Sequence, residues 1–84
     1  MAEKEIGVVT HYFSHLGVAA LNLIDDLDVG DTIRIKGRTT DLTMTVESMQ
    51  IEHRSVNVAK PGDDVAIMVS EHVREHDVVL KLVQ

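Results

Sequence analysis

The first readable feature of the chain is a period of two. From Glu5 to Phe13, Ile6, Val8, Thr10 and Tyr12 share one face, and Gly7, Val9, His11 and Phe13 share the other, which predicts a strand. After the polar, glycine-bearing "SHLG", a second apolar run extends from Val18 to Ile24. Two such runs around a short break predict a hairpin. A helix over Gly17 to Asp26 is the rival for the second run, because Ala, Leu and Asn tolerate one.

Further along, Ile33 and Ile35 point one way and Arg34 and Lys36 the other, the pattern of a half-buried strand with a basic outer face. The longest strand candidate is Leu42 to His53, and its phase changes on the way. Leu42, Met44 and Val46 share a face, but the next apolar residues, Met49 and Ile51, have the opposite parity. A β-bulge at Glu47–Ser48 is the predicted remedy, and it requires Met44 and Met49 both to point inward. "RSVNVAK" reads as a loop. In "DDVAIMVS" Val65, Ile67 and Val69 share one face, while Ala66 and Met68 make the other apolar too. That composition predicts a strand covered on both sides. "EHDVVLKLV" supplies a last strand.

Three of these strands are preceded by the same punctuation. Gly30-Asp31 leads into Ile33 and Ile35, Gly62-Asp63 into Val65 and Ile67, and Asp77 into Val79. Glycine supplies positive φ and aspartate competes for backbone donors, so these are turns. A phosphate-binding loop needs another glycine spacing and opens onto a helix, whereas here a strand follows each time. The expected architecture is all-β: a small six-stranded antiparallel β-barrel.

Composition narrows this picture. Eighty-four residues suffice for one domain, spanning 1–84. With 44% hydrophobic residues the chain reads as globular, and Tyr12 and Phe13 are its only aromatics of the Phe, Tyr and Trp type. Without cysteine there are neither disulfides nor thiolate zinc sites. "MAEKE" does not read as a secretory signal, and the nearly apolar run Leu16 to Ile24 is too short to span a bilayer. The expectation is therefore a cytoplasmic protein without a membrane partner. A net charge of −6 works against global attraction to nucleic acid.

The segments "VGDTIRIKG", "VESMQIEH" and "AKPGDDVAIMV" together resemble the second domain of translational GTPases such as elongation factor Tu. The matching residues are Gly7 with Val8 and Val9, then Val29-Gly30-Asp31 with Ile33 and Ile35, and Val46, Met49 and Ile51. Ala59, Gly62, Asp63, Val65 and Ile67 match the Ala-x-x-Gly-Asp-x-Val-x-Ile segment. His76 departs from the pattern, because the family often has glycine before the aspartate of the last strand. Similar barrels stand at the C-terminus of collagenase-like peptidases and as small standalone proteins. The resemblance implies a translation-factor-type β-barrel that binds rather than catalyses. No Gly-x-x-x-x-Gly-Lys-Ser/Thr is present, so GTP binding by this chain is not implied.

Arg34, Lys36, Arg38 and Arg54 are four of the eight Lys and Arg residues and fall close together in sequence. If neighbouring strands pair, they form one basic patch beside Thr39, Thr40, Thr43 and Thr45, suited to an RNA backbone. The competing reading, which carries more weight for the patch alone, is a solvated strand face whose cations protect an edge from aggregation. The first functional expectation is a non-enzymatic module contacting tRNA, rRNA or a translation-related protein. The alternative is a protein–protein adaptor whose acidic, Val-rich surface docks a separate enzyme chain in trans. One of Tyr12 and Phe13 could sit exposed on the hairpin as an anchor, but a packed pair around the barrel rim is the preferred reading. His11 and His15, like His72 and His76, are four apart, a half-site for a metal only if helical. "SEHVREH" is the better candidate for such a turn, but solvated or partly packed histidines are the preferred reading. Neither a nucleophile elbow nor a catalytic dyad is visible, since Asp25-Asp26 and Asp63-Asp64 read as turns. No catalytic residue, cofactor site or metal site is assigned.

Overall fold

The N-terminal hairpin forms as its period of two predicts. β1 (Ala2–Phe13) turns through residues 14–17 into β2 (Val18–Leu23). The Leu16 and Gly17 N–H groups both donate to the Phe13 carbonyl at 3.0 Å, and Gly17 adopts φ 64°. Ala19, Leu21 and Leu23 are buried while Val18, Ala20 and Asn22 are half-buried, so the run is a strand and the helical rival is excluded. This computed structural model describes residues 2–83, which contain no helix.

β1 departs from simple alternation. Ile6 and Val9 are both fully buried and Tyr12 packs against the core, a spacing of three. Two irregularities cause it. Ile6 is unpaired against β10 (Val78–Val83), between Glu5 and Gly7; Thr10 is unpaired against β2, between Val9 and His11. Each extra residue resets which side chains face inward. Gly7 lies between them, where a β-carbon would collide with the Asn22 carbonyl, so only glycine permits this approach of β1 to β2.

β4 (Thr32–Lys36), β5 (Asp41–Thr45) and β9 (Asp64–Met68) complete the strands of five residues or more, six in all with β1, β2 and β10. Four shorter segments join them: β3 (Leu27–Asp28), β6 (Met49–Ile51), β7 (Arg54–Val56) and β8 (Val58–Ala59). Eight strands form one antiparallel sheet in the order β5-β4-β10-β1-β2-β9-β6-β7, and β3 pairs with β8 separately. β5 and β7 are the outer strands of that order. The enclosed core is almost wholly aliphatic, with Ile6, Leu21, Leu27, Ile33, Ile35, Ile67 and Val79 all buried. Among the described residues no buried side-chain nitrogen or oxygen lacks a partner.

The predicted bulge at 47–48 is corrected. The chain leaves β5, crosses through residues 46–48 and restarts as β6 beside β9, far along the strand order. Val46 and Met49 are buried and Met44 packs against the core, so the change of parity is real. A corner between two strands produces it, not an extra residue in one ladder. Val46 is clamped there, its N–H donating to Asp31 and its carbonyl accepting from Gly30. The supposed loop "RSV" is a strand: Glu52 and His53, at φ 50° and 66°, make the tight turn from β6 into β7.

The recurring turns are one device used three times. In residues 28–31, 60–63 and 74–77 the last N–H donates to the first carbonyl, at 3.1, 3.0 and 3.2 Å. In each, the final aspartate carboxylate also accepts from the first residue's N–H, at 2.9 Å: Asp31 from Asp28, Asp63 from Lys60, Asp77 from Arg74. The third position is left-handed throughout, with φ 98° at Gly30, 91° at Gly62 and 73° at His76.

Candidate docking face

The four sequence-picked cations separate into different roles. Arg34 lies on β4, where its Nε and Nη2 each donate to an Asp41 carboxylate oxygen at 2.8 Å, and Nη1 donates to Glu3 at 3.1 Å. These hydrogen bonds hold the Asp41 carboxyl below the usual carboxylate range, and those to Asp41 and then Glu3 raise the guanidinium further. Three of its five donors are engaged within the chain. Lys36 and Arg38 are exposed at the end of the β4–β5 hairpin. Arg54 opens β7, the outer strand at the other end of the sheet order, because β6 and β7 do not pair with β4 or β5. The premise that sequence-adjacent strands pair fails at the 46–48 corner.

Among the histidines, the pairs four apart do not act together. Residues 70–76 form bends and a turn, so "SEHVREH" has no helical face. Instead His11 and His72 border one open groove of about 460 Å³ with Tyr12, Ser14, Arg74 and Glu75. His11 Nδ1 lies 3.3 Å from Glu75 Oε1, its ring meets Phe13 edge-on at 4.4 Å, and Tyr12 meets His72 at 4.6 Å. Among the described residues no group of three or more His, Asp or Glu is placed to hold a metal ion.

A different surface stands out on chemical grounds. β2 and β9 pair so that Val18 faces Met68, Ala20 faces Ala66, and Asn22 faces Asp64. These pairs lie on the outer side of the sheet, opposite the buried Ala19, Leu21, Val65 and Ile67. The first two pairs are apolar; the third is polar and linked by an Asn22-to-Asp64 hydrogen bond of 2.9 Å. Leu16, 67% exposed in the hairpin turn, extends the apolar strip, and Met68 is 60% exposed. Between them lies a shallow groove of about 240 Å³ whose lining includes Leu16, Val18, Gln50, Ala66 and Met68. Phe13, opposite Val18 and 43% exposed, adds an aromatic at the same end. β9 is therefore covered on one side only, where its sequence predicts cover on both. Sequence reasoning left open which of Tyr12 and Phe13 is exposed, preferred the two as a packed pair, and missed the strip, although the apolar Ala66 and Met68 were the signal for it.

No family model matches the chain. It is 43% identical, over 93% of its length, to an uncharacterised protease of Methanocaldococcus jannaschii. It is 38% identical, over 86% of its length, to a collagenase of Porphyromonas gingivalis. The chain spans about a fifth of the length of these relatives, 19% and 20%. In the solved structures it is similar to the C-terminal domain of a U32 peptidase of Geobacillus thermoleovorans, with a TM-score of 0.88 at 20% identity over 94% of this chain and 92% of that one. The selenomethionine form of that domain gives 0.86. The likeness to collagenase-like peptidases is thereby upheld at the level of fold, and the elongation-factor reading is corrected. Contact with tRNA, rRNA or the ribosome through Arg34, Lys36, Arg38 and Arg54 falls with it, because the relatives carry protease names. Among the described residues no helix is long and apolar enough to cross a membrane.

Proposed function

We propose that this chain is a non-catalytic docking domain for a peptidase-type catalytic partner, which it holds through the outer face of β2 and β9. The observation that carries this reading is the mismatch on β9. Its sequence is apolar on both sides, yet only one side is covered by the chain itself, leaving Ala66 half-buried and Met68 exposed. An apolar strip with a polar rim at Asn22 and Asp64 has the anatomy of a protein interface. The similarity supplies the occupant: such domains accompany a much larger remainder in proteins named protease, collagenase and U32 peptidase. Area removed from water, rather than ion pairing, drives the association.

The test is calorimetric titration of the chain into the Methanocaldococcus protease from which the matched segment has been deleted. Binding is expected to change little between about 50 and 500 mM salt, the range over which exposed charge pairs become screened. Ala66→Lys should weaken it by about tenfold or more, since a buried unpaired charge replaces a methyl contact. Failure to bind, or binding untouched by Ala66→Lys, contradicts the proposal.

A further inference from the structure

A second surface lies at the sheet edge, and it goes beyond the docking reading. β5 is an outer strand, paired on one side with β4. Two hydrogen bonds fix which of its backbone groups are already engaged. Gly37 N–H donates to the Thr40 carbonyl, and Val46 N–H donates to Asp31, so Thr40 and Val46 turn their backbone toward the β4 side. In an antiparallel ladder that orientation alternates, which assigns Leu42 and Met44 to the same side. Asp41, Thr43 and Thr45 then aim their N–H and C=O groups outward, and all three are exposed. Among the described residues no strand pairs with that side.

The free edge opens onto a groove of about 430 Å³. Met44, Thr45 and Glu47 form one wall, and Met68, Val69 and Ser70 form the other. The two methionines give it an adaptable apolar lining, because the unbranched thioether repacks readily around different shapes. Glu47 is the only charged residue of the lining and makes no salt bridge among the described residues. Alternation along β5 separates these properties by face: Leu42 and Met44 lie inward, while Asp41, Thr43, Thr45 and then Glu47 lie outward.

We propose that the edge of β5 takes an extended peptide as an added strand, its apolar side chains over Met44 and Met68 and its basic side chains beside Glu47. Strand addition needs free edge donors and acceptors together with pockets for alternate side chains, and both are present here. The facing wall of residues 68–70 favours a single strand, since a second copy of the domain would bring its own β4 along with β5. The net charge of −6 favours a basic segment over an acidic one.

The test is an amide NMR titration of the whole labelled chain with the hexapeptide Val-Lys-Val-Lys-Val-Lys, which spans about 20 Å when extended. The expected result is a downfield shift of the Thr43 and Thr45 amides with changes at Glu47 and Val69. The acidic counterpart Val-Glu-Val-Glu-Val-Glu should bind about tenfold more weakly. Thr43→Pro should abolish binding while leaving the β4–β5 ladder intact, because proline there removes only an outward N–H. Glu47→Lys, in the exposed crossing, should reverse the preference between the two peptides without relying on proline. Binding that survives Thr43→Pro in a folded domain overturns the proposal, as does a response centred away from β5. Concentration-dependent shifts at Thr43 without peptide would assign the edge to a second copy and overturn it equally. None of these outcomes involves Ala66, so failure here and failure of the docking reading are distinguishable.

Discussion

The β4–β5 hairpin and the β2–β9 pair are built alike on the inside and oppositely on the outside. Inside, both bury aliphatics completely: Ile33 and Ile35 in one, Ala19 and Leu21 in the other. Outside, the first carries Arg34 clamped between Asp41 and Glu3, while Lys81 of the adjoining β10 donates to the Asp26 carbonyl at 2.9 Å. The second presents Val18, Met68, Ala20 and Ala66 with one polar pair at its end. Arg34 and Lys81 of the charged exterior find their partners within the chain. The apolar exterior does not, and a surface that gains from leaving water is the better candidate for a partner.

The strongest perturbation should show that the interiors are equivalent. Leu21→Ala on β2 and Ile33→Ala on β4 should each cost about 3 kcal/mol in urea unfolding, as deletions in a closed core do. A large difference between the two would mean that the regions differ inside as well as outside. Next, the exteriors should separate. Ala66→Lys should change stability by less than about 0.5 kcal/mol yet weaken docking by about tenfold or more, whereas Lys36→Ala and Arg38→Ala should leave both intact. Loss of docking in the latter two would return the interface to the charged face.

The turns that feed the two regions sharpen the comparison at smaller scale. β4 and β9 are entered through glycine at the left-handed position, but β10 is entered through His76 at φ 73°. His76→Gly should raise stability by up to about 1 kcal/mol in the same urea assay, because glycine adopts this conformation without a β-carbon clash. Glu52→Asn with His53→Gly should act similarly at the β6–β7 turn.

The smallest effect is electrostatic. Asp41 has a folded-state pKa below its unfolded value because of Arg34, so its contribution is present at neutral pH, well above the unfolded pKa. It is lost as the pH falls below about 4 and through the depressed value. Asp25, lowered by its hydrogen bond from Lys4, has the same sign. Urea midpoints followed between neutral pH and that range should fall less steeply in Asp41→Asn. An unchanged slope would mean that the Arg34 cluster contributes nothing measurable.

Much of the fold was legible because aliphatic alternation and Gly-Asp punctuation are local signals. β2, β4, β9 and the opening turns follow from them directly. What stayed hidden was non-local or chemically unmarked. The two irregularities in β1 depend on how β2 and β10 align against it, which no window of nine residues records. The Glu52-His53 turn lacks the Asn-Gly signature that normally announces paired left-handed residues. The jump from β5 to β6 produced the same change of parity as a bulge, so the pattern revealed a corner without revealing its destination. That ambiguity also joined Arg54 to Arg34 on paper. The apolar strip was legible in part: Ala66 and Met68 signalled a second covered side, but only the structure shows that the domain leaves it bare.

The most direct measurement of the central claim uses the methionine methyl groups. Methyl-labelled chain would be mixed with the Methanocaldococcus protease lacking its matched segment, and the Met68, Met44 and Met49 signals followed. The account predicts that Met68 shifts and broadens on binding while the fully buried Met49 stays in place. A complex that forms with Met68 unmoved would contradict it, and would require the partner to sit on some other face of the sheet.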